Sequence, residues 1–203
     1  MSCSPSSPYL ELLDWRRQLS ELFASLRHRP RDAETLTWFR AEKDRLFRAH
    51  PQSPIPSIDQ QRFVGLAYWP YDPAAQVEAH FTPSDEGPPA AASEVPFRRI
   101  GHLDFELRHT PLRLGAFWIE GYAGGLFVPF TDSTSGHATY AGGRYLLDTI
   151  KGADLGSGAE PDRVSLDFNY AYHPSCTYDP RWVCPLAPPD SRLAIAIPAG
   201  ERL

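Results

Sequence analysis

The chain has 203 residues, room for one domain or for one domain with a helical appendage. Its 20 Lys and Arg against 25 Asp and Glu leave a net charge of −5, which argues against neutralising a phosphate backbone, and no apolar run approaches the roughly 20 residues that cross a bilayer. The 21 prolines, about twice the average frequency, exclude a helical bundle or coiled coil and favour short strands joined by rigid turns, while 42% hydrophobic residues suffice for a core.

The opening Met1-Ser2-Cys3-Ser4-Pro5 has neither a basic leader nor an apolar stretch, so no export signal is read and a cytoplasmic location is expected. Three cysteines, Cys3, Cys176 and Cys184, are too few for a disulfide scaffold. Residues 1–50 carry nine basic and seven acidic side chains, net +2, whereas residues 51–203 carry eleven and eighteen, net −7. This break suggests an N-terminal helical region over 1–50 and an antiparallel β domain over 51–203, forming one compact unit.

Two early proline-free stretches show helical period. In 9–29, Leu12, Trp15, Leu19, Leu22, Phe23 and Leu26 recur at spacings of three and four. In 31–50, Asp32 is placed to cap a helix whose stripe is Leu36, Phe39, Leu46 and Phe47, ended by His50-Pro51. Acidic residues among the basic ones favour packing over membrane binding.

From Pro51 onward short strands are expected at 62–69 and 76–81, then a polar, proline-rich loop at 83–93. Leu103, Phe105 and Leu107 alternate with Asp104, Glu106 and Arg108, and after His109-Thr110-Pro111 the chain returns through 112–120, a hairpin with one wet face. Further strands are read at 126–130, 144–148, 164–168 and 193–197. The expected class is α+β, with N-terminal helices packed on an antiparallel β-barrel or β-sandwich of about eight strands.

Two segments depart from the pattern of a solvated strand. The first, 130–146, offers Asp132, Ser135, Tyr140 and Arg144 around Gly136 and Gly142-Gly143. It reads either as a hydrogen-bonded turn with Arg144 paired internally, or as a polar site receiving an anion on Arg144. The second holds Asp167-Phe168-Asn169. Asp167 and Asn169 share a face if the strand continues, which suits ligand binding or general-base work; otherwise they cap the turn that follows.

Cys176 and Cys184 bracket seven residues and read as a reduced pair, a disulfide or metal ligands. With His173 they supply three ligands where a closed zinc centre needs four, so no metal is assigned. Phosphate-loop, dinucleotide and zinc-protease motifs are absent, and no cofactor is expected.

The order Phe-x-Asp-x-Thr-Ser-Gly, Thr-Tyr-x-Gly-Gly-Arg-Tyr-Leu, Asp-Phe-Asn, Pro-x-Cys, Cys-Pro-Leu and Ala-Gly-Glu resembles the bacterial and archaeal domain-of-unknown-function family 1684. The resemblance runs from about residue 36 to 201 and includes Phe39-Arg40, Lys43-Asp44 and Ser53-Pro54. The chain departs from the family pattern at His137-Ala138, where a charged or polar pair is usual, and at His173, where Asn is usual; both departures weaken a role for these histidines. The family implies no reaction. The residues themselves leave three readings: a module binding a polar or anionic metabolite through Asp132, Ser135, Tyr140, Arg144, Asp167 and Asn169; a hydrolase using Asp167 or Asp132 with Arg144; or an interaction protein with no small-molecule site. Neither nucleic acid nor membrane is an expected partner.

Overall fold

The computed structural model describes residues 7–84, 95–122 and 124–203. Most of the loop read at 83–93 lies outside the described residues, as does Cys3.

Helix α1 (Pro8–Leu26) starts with proline in its first turn, where the missing N–H has no helical partner to lose, and buries Trp15, Leu22, Phe23 and Leu26. Helix α2 (Ala33–Ala49) is capped by Asp32, whose carboxylate accepts from the Thr35 N–H at 2.8 Å, an arrangement that contributes about 1 kcal/mol. Its buried face holds Leu36, Phe39, Leu46 and Phe47 and, in the same stripe, Lys43. These faces meet Ile55, Ala153, Leu155 and Tyr170 in a shared core, with Phe39 edge-on to Phe23 at 5.1 Å and to Tyr170 at 5.0 Å. Each large apolar side chain buried there contributes about 1.5–3 kcal/mol. A single turn, α3 (Ser57–Gln60), follows.

Eight strands complete the fold: β1 (Ala67–Tyr68), β2 (Gln76–Pro83), β3 (Phe97–Leu107), β4 (Thr110–Ile119), β5 (Gly125–Phe130), β6 (Arg144–Asp148), β7 (Arg163–Asp167) and β8 (Glu201–Arg202). Six form one antiparallel sheet in the order β6-β5-β4-β3-β2-β7, curled into a half-barrel, while β1 pairs with β8. The fold is therefore α+β. Leu103, Phe105, Leu107, Leu114, Val128 and Leu146 form the main sheet core together with Leu193, Ile197 and Ala199 from the C-terminal tail. Among the described residues no helix is long and apolar enough to cross a membrane.

Three local readings change. The β3–β4 turn is Arg108-His109, with φ of 51° and 61°, the conformation of a two-residue type I′ hairpin. Thr110 and Pro111, read as turn residues, already pair with Leu107 and Glu106. Only Ala67–Tyr68 of the strand expected at 62–69 forms, because Gly65 takes φ +137° and the Asp44 carboxylate accepts the Leu66 N–H at 3.0 Å, removing a ladder donor. The strand expected at 193–197 is irregular. Its backbone bonds outside a ladder: Leu193 N–H to the Thr131 carbonyl, Ile197 N–H to the Asp132 carboxylate, and the Ile197 carbonyl to Arg144.

Candidate functional site

Arg144 opens β6 directly after Gly143, whose φ of +94° brings the backbone so close to the Phe130 carbonyl that a β-carbon would lie 2.4 Å from it. The guanidinium is 1% exposed and committed to protein partners. Its Nη1 donates to the carbonyls of Ala199 and Glu201, the latter at 3.1 Å, and its Nη2 donates to Asp132 Oδ2 at 2.8 Å and to the Ile197 carbonyl at 2.9 Å. The faces of Phe130 and Trp69 lie 4.9 and 5.2 Å from it. Asp132 is equally engaged: Oδ2 also accepts from the Ile197 N–H at 3.0 Å, and Oδ1 takes the N–H and hydroxyl of Thr134. Ser135 belongs to the same turn, its hydroxyl accepting from the Asp132 N–H at 3.1 Å. Together these residues latch the 131–144 segment to the C-terminal tail, and the pairing leaves Arg144 turned inward.

Asp167 and Asn169 sit elsewhere. The strand stops at Asp167, so the two do not share a strand face. Asp167 Oδ1 accepts the Asn169 N–H at 3.0 Å and its Nδ2–H at 2.9 Å, capping the 3-10 turn Phe168–Tyr170. Asn169 bonds the Asp72 N–H and carbonyl at 2.9 and 2.8 Å, tying the approach to β2 onto this turn. Asp167 Oδ2 is buried without a hydrogen-bond partner, and burial pushes the carboxyl above its usual range.

A second buried charge cluster was not singled out from sequence. Lys43 Nζ donates to Glu201 Oε1 at 2.5 Å, with both side chains at most 5% exposed. Glu201 Oε2 accepts the His173 N–H at 2.7 Å and the Tyr178 hydroxyl at 2.9 Å. The ammonium lies 4.7 Å from the Tyr172 ring and 5.4 Å from that of Phe47. The signal for Lys43 was present in the sequence: a cation four residues after Phe39 and three before Leu46, inside the apolar stripe of α2.

His173 Nε2 accepts from the Tyr140 N–H at 3.3 Å, which leaves the ring proton on Nδ1, 3.6 Å from Glu201. Burial, aided by the Arg144 and Lys43 cations and opposed by Glu201, pulls its pKa down to about 4. A histidine held below its unfolded value of roughly 6.5 contributes stability above that pH and loses it as pH falls towards the folded value, here up to about 3 kcal/mol. Half-buried Asp44 and buried Asp148 and Asp167, all held above the usual range by desolvation, act in the opposite sense. Urea unfolding of wild type and His173→Asn from pH 7 to 4 is therefore expected to show a shallower acid loss in the variant. Parallel profiles would overturn this reading.

Cys176 and Cys184 are both free and half-buried. Burial and the neighbouring sulfur raise Cys176 to about 11, keeping it a thiol at neutral pH. With both His173 nitrogens directed elsewhere, the proposed three-ligand set does not converge. Among the described residues no group of three or more His, Cys, Asp or Glu is placed to hold a metal.

One cavity lies between the helices and the C-terminal loops. Its volume is about 200 Å³, and its apolar walls include Leu12, Trp15, Leu19 and Phe23 of α1, Phe47 of α2, Tyr172 and Trp182. That exceeds the roughly 150 Å³ cavity that admits benzene in another protein. Lys43 and His173 also line it, as do exposed Arg16 and half-buried Lys151. Both lysines of the chain thus line this cavity, and no Asp or Glu does among the described residues. Two lining side chains carry buried donors without partners, the Tyr172 hydroxyl and the Trp182 indole N–H. Of the site residues expected from sequence, Asp132, Ser135, Tyr140, Arg144, Asp167 and Asn169 are not among its walls.

The model of a family described as protein of unknown function, DUF1684, matches residues 61–202. The chain belongs to this family. Among solved structures, the solution NMR structure of the uncharacterized protein from gene locus rrnAC0354 of Haloarcula marismortui is 36% identical to it, with a TM-score of 0.61 over 84% of this chain and 93% of that one. No curated protein matches the chain. The DUF1684 match contains the Asp132–Arg144 latch, the Asp167–Asn169 turn and Glu201, whereas Lys43 and the α1 wall of the cavity precede it.

Proposed function

We propose that this DUF1684 protein binds a small molecule with an aromatic or branched apolar body and an anionic group, seated between α1, α2 and the 172–184 segment. The observation that carries this reading is the make-up of the cavity: an apolar wall bearing Arg16 and Lys151, the latter 3.7 Å from Asp148, with Lys43 paired to Glu201 and no acidic side chain among the described lining residues, in a chain whose net charge is −5. The apolar body gains burial against Trp15, Phe23 and Phe47, and the anion gains a charge-assisted hydrogen bond at the basic wall. Binding is favoured over hydrolysis because Asp132 and Arg144 are spent on each other and on the tail, while Asp167 Oδ2 is buried away from this cavity.

The test uses phenylacetate and indole-3-carboxylate with their neutral amides, followed by intrinsic tryptophan fluorescence, since Trp15 and Trp182 line the cavity. Each acid is expected to bind about tenfold more tightly than its amide, the worth of one charge-assisted contact. Lys151→Ala is expected to shrink that preference, and Leu19→Trp to block both ligands. Equal affinity for acid and amide, or no response to either at millimolar concentration, would overturn the proposal.

A further inference from the structure

The cations of the cavity stand at two depths. Arg16 is exposed and the Lys151 side chain is 40% exposed, whereas that of Lys43 is 5% exposed. The Lys43 ammonium lies 4.7 Å from the Tyr172 ring and 5.4 Å from the Phe47 ring, and both residues belong to the cavity wall. An ammonium has three N–H donors, and among the described residues that of Lys43 has one hydrogen-bond acceptor, Glu201 Oε1. The two ring faces attract its charge without supplying an oxygen lone pair. The buried side-chain groups of the wall that lack any partner, among the described residues, are the Tyr172 hydroxyl and the Trp182 indole N–H, and both can donate. The acceptors beside Lys43 are spent: Glu201 Oε2 takes the His173 N–H and the Tyr178 hydroxyl, and His173 Nε2 takes the Tyr140 N–H. A buried donor without an acceptor is costly, so this part of the cavity favours a ligand that brings one.

We infer that the anionic ligand proposed above carries a neutral carbonyl group at the end of its apolar body remote from the anion, and that Lys43 donates to this carbonyl at the inner end of the cavity. Neutrality follows from Glu201. The ammonium already faces a buried carboxylate, so a second anion there would meet that carboxylate's repulsion, whereas a carbonyl needs only the spare donor. A hydroxyl serves less well, because its own proton would find the neighbouring oxygens occupied. Arg16 and Lys151, nearer the surface, are left for the anion. The ligand class is thus an aromatic acid bearing a ketone, ester or amide carbonyl opposite its carboxylate.

This inference rests on the cavity being the ligand site, and its experiment separates the two. Para-acetylphenylacetate, the corresponding secondary alcohol and para-isopropylphenylacetate, three acids of similar shape, are titrated calorimetrically into the full-length protein beside the amide of the isopropyl acid. The ketone is expected to bind about tenfold more tightly than the isopropyl acid although it is the less apolar of the two, with the alcohol between them. Lys43→Met/Glu201→Gln sets the nearest replacement donor, an amide, where Oε1 stood, 2.5 Å behind the ammonium, and is expected to cut that preference below about threefold. In wild type, the NMR resonance of the ketone's carbonyl carbon is expected to move downfield from its position in water, since an ammonium polarises the carbonyl more than water does. Equal affinity for ketone and isopropyl acids, with the isopropyl acid still favoured over its amide, would overturn the carbonyl and leave the cavity reading standing. Full preference in the folded double variant, or an unmoved or upfield resonance in wild type, would overturn the role of Lys43. No binding of any of the acids at millimolar concentration would overturn the ligand site, and this inference with it.

Discussion

Arg144→Ala is expected to lose about 3–5 kcal/mol of unfolding free energy, the cost of breaking a buried, hydrogen-bonded ion pair from one side. The change leaves Asp132 Oδ2 with a single remaining donor and strips the Ile197, Ala199 and Glu201 carbonyls of the guanidinium that satisfied them. It also releases the tail from the sheet, because no ladder replaces those bonds between Leu193 and Ala199. Against a typical total of roughly 5–15 kcal/mol, the loss is large enough to shift the urea midpoint strongly at pH 7. Arg144→Lys keeps the charge but not the planar fork that spans three carbonyls and a carboxylate, so it should recover only part of the stability. A loss below about 1 kcal/mol in Arg144→Ala would show that the latch adds little to the fold.

Lys43→Met is the second large effect, again about 3–5 kcal/mol, because Glu201 would be left charged and buried with Oε1 unpaired. In the native protein the surrounding bonds, Lys43 foremost, overcome the burial cost and hold Glu201 below its usual range. Its stabilisation is therefore present above the unfolded carboxylate value and is lost as pH falls through the lower folded one. The double variant Lys43→Met/Glu201→Gln removes both charges while keeping an acceptor for the His173 N–H and the Tyr178 hydroxyl. It should lie within about 2 kcal/mol of wild type, better than Lys43→Met alone, since an uncharged pair incurs no ionic desolvation. Simple additivity of the two single changes in a double-mutant cycle would sink this account of the cluster.

The two clusters show how far local pattern reaches. Asp32 as a cap, the stripes of α1 and α2, and the alternation along β3 are set by neighbours three, four or two residues away, so each was legible in the sequence. The alternation of Leu193, Ile195 and Ile197 has the same local form, yet no strand results. There the competing partners, Asp132 and Arg144, are more than fifty residues distant and take the backbone groups that a ladder would use. The resemblance carried by the motifs from Phe130 to Glu201 identified the family, and the motif residues prove to be densely bonded to one another. For this reason Arg144 stood out in the sequence while the structure spends it internally.

The sequence alone determined the α+β class, the two N-terminal helices, most of the antiparallel strands and the DUF1684 membership, because periodicity and motif order are properties of short segments. Tertiary structure alone decided that Lys43 meets Glu201 across 158 residues, and that an apolar cavity lined by Arg16, Lys43 and Lys151 opens between α1, α2 and the C-terminal loops. No local pattern encodes which distant segments will share a cavity. Its charge is the sum of side chains that touch only once the helices have packed against the tail of the chain.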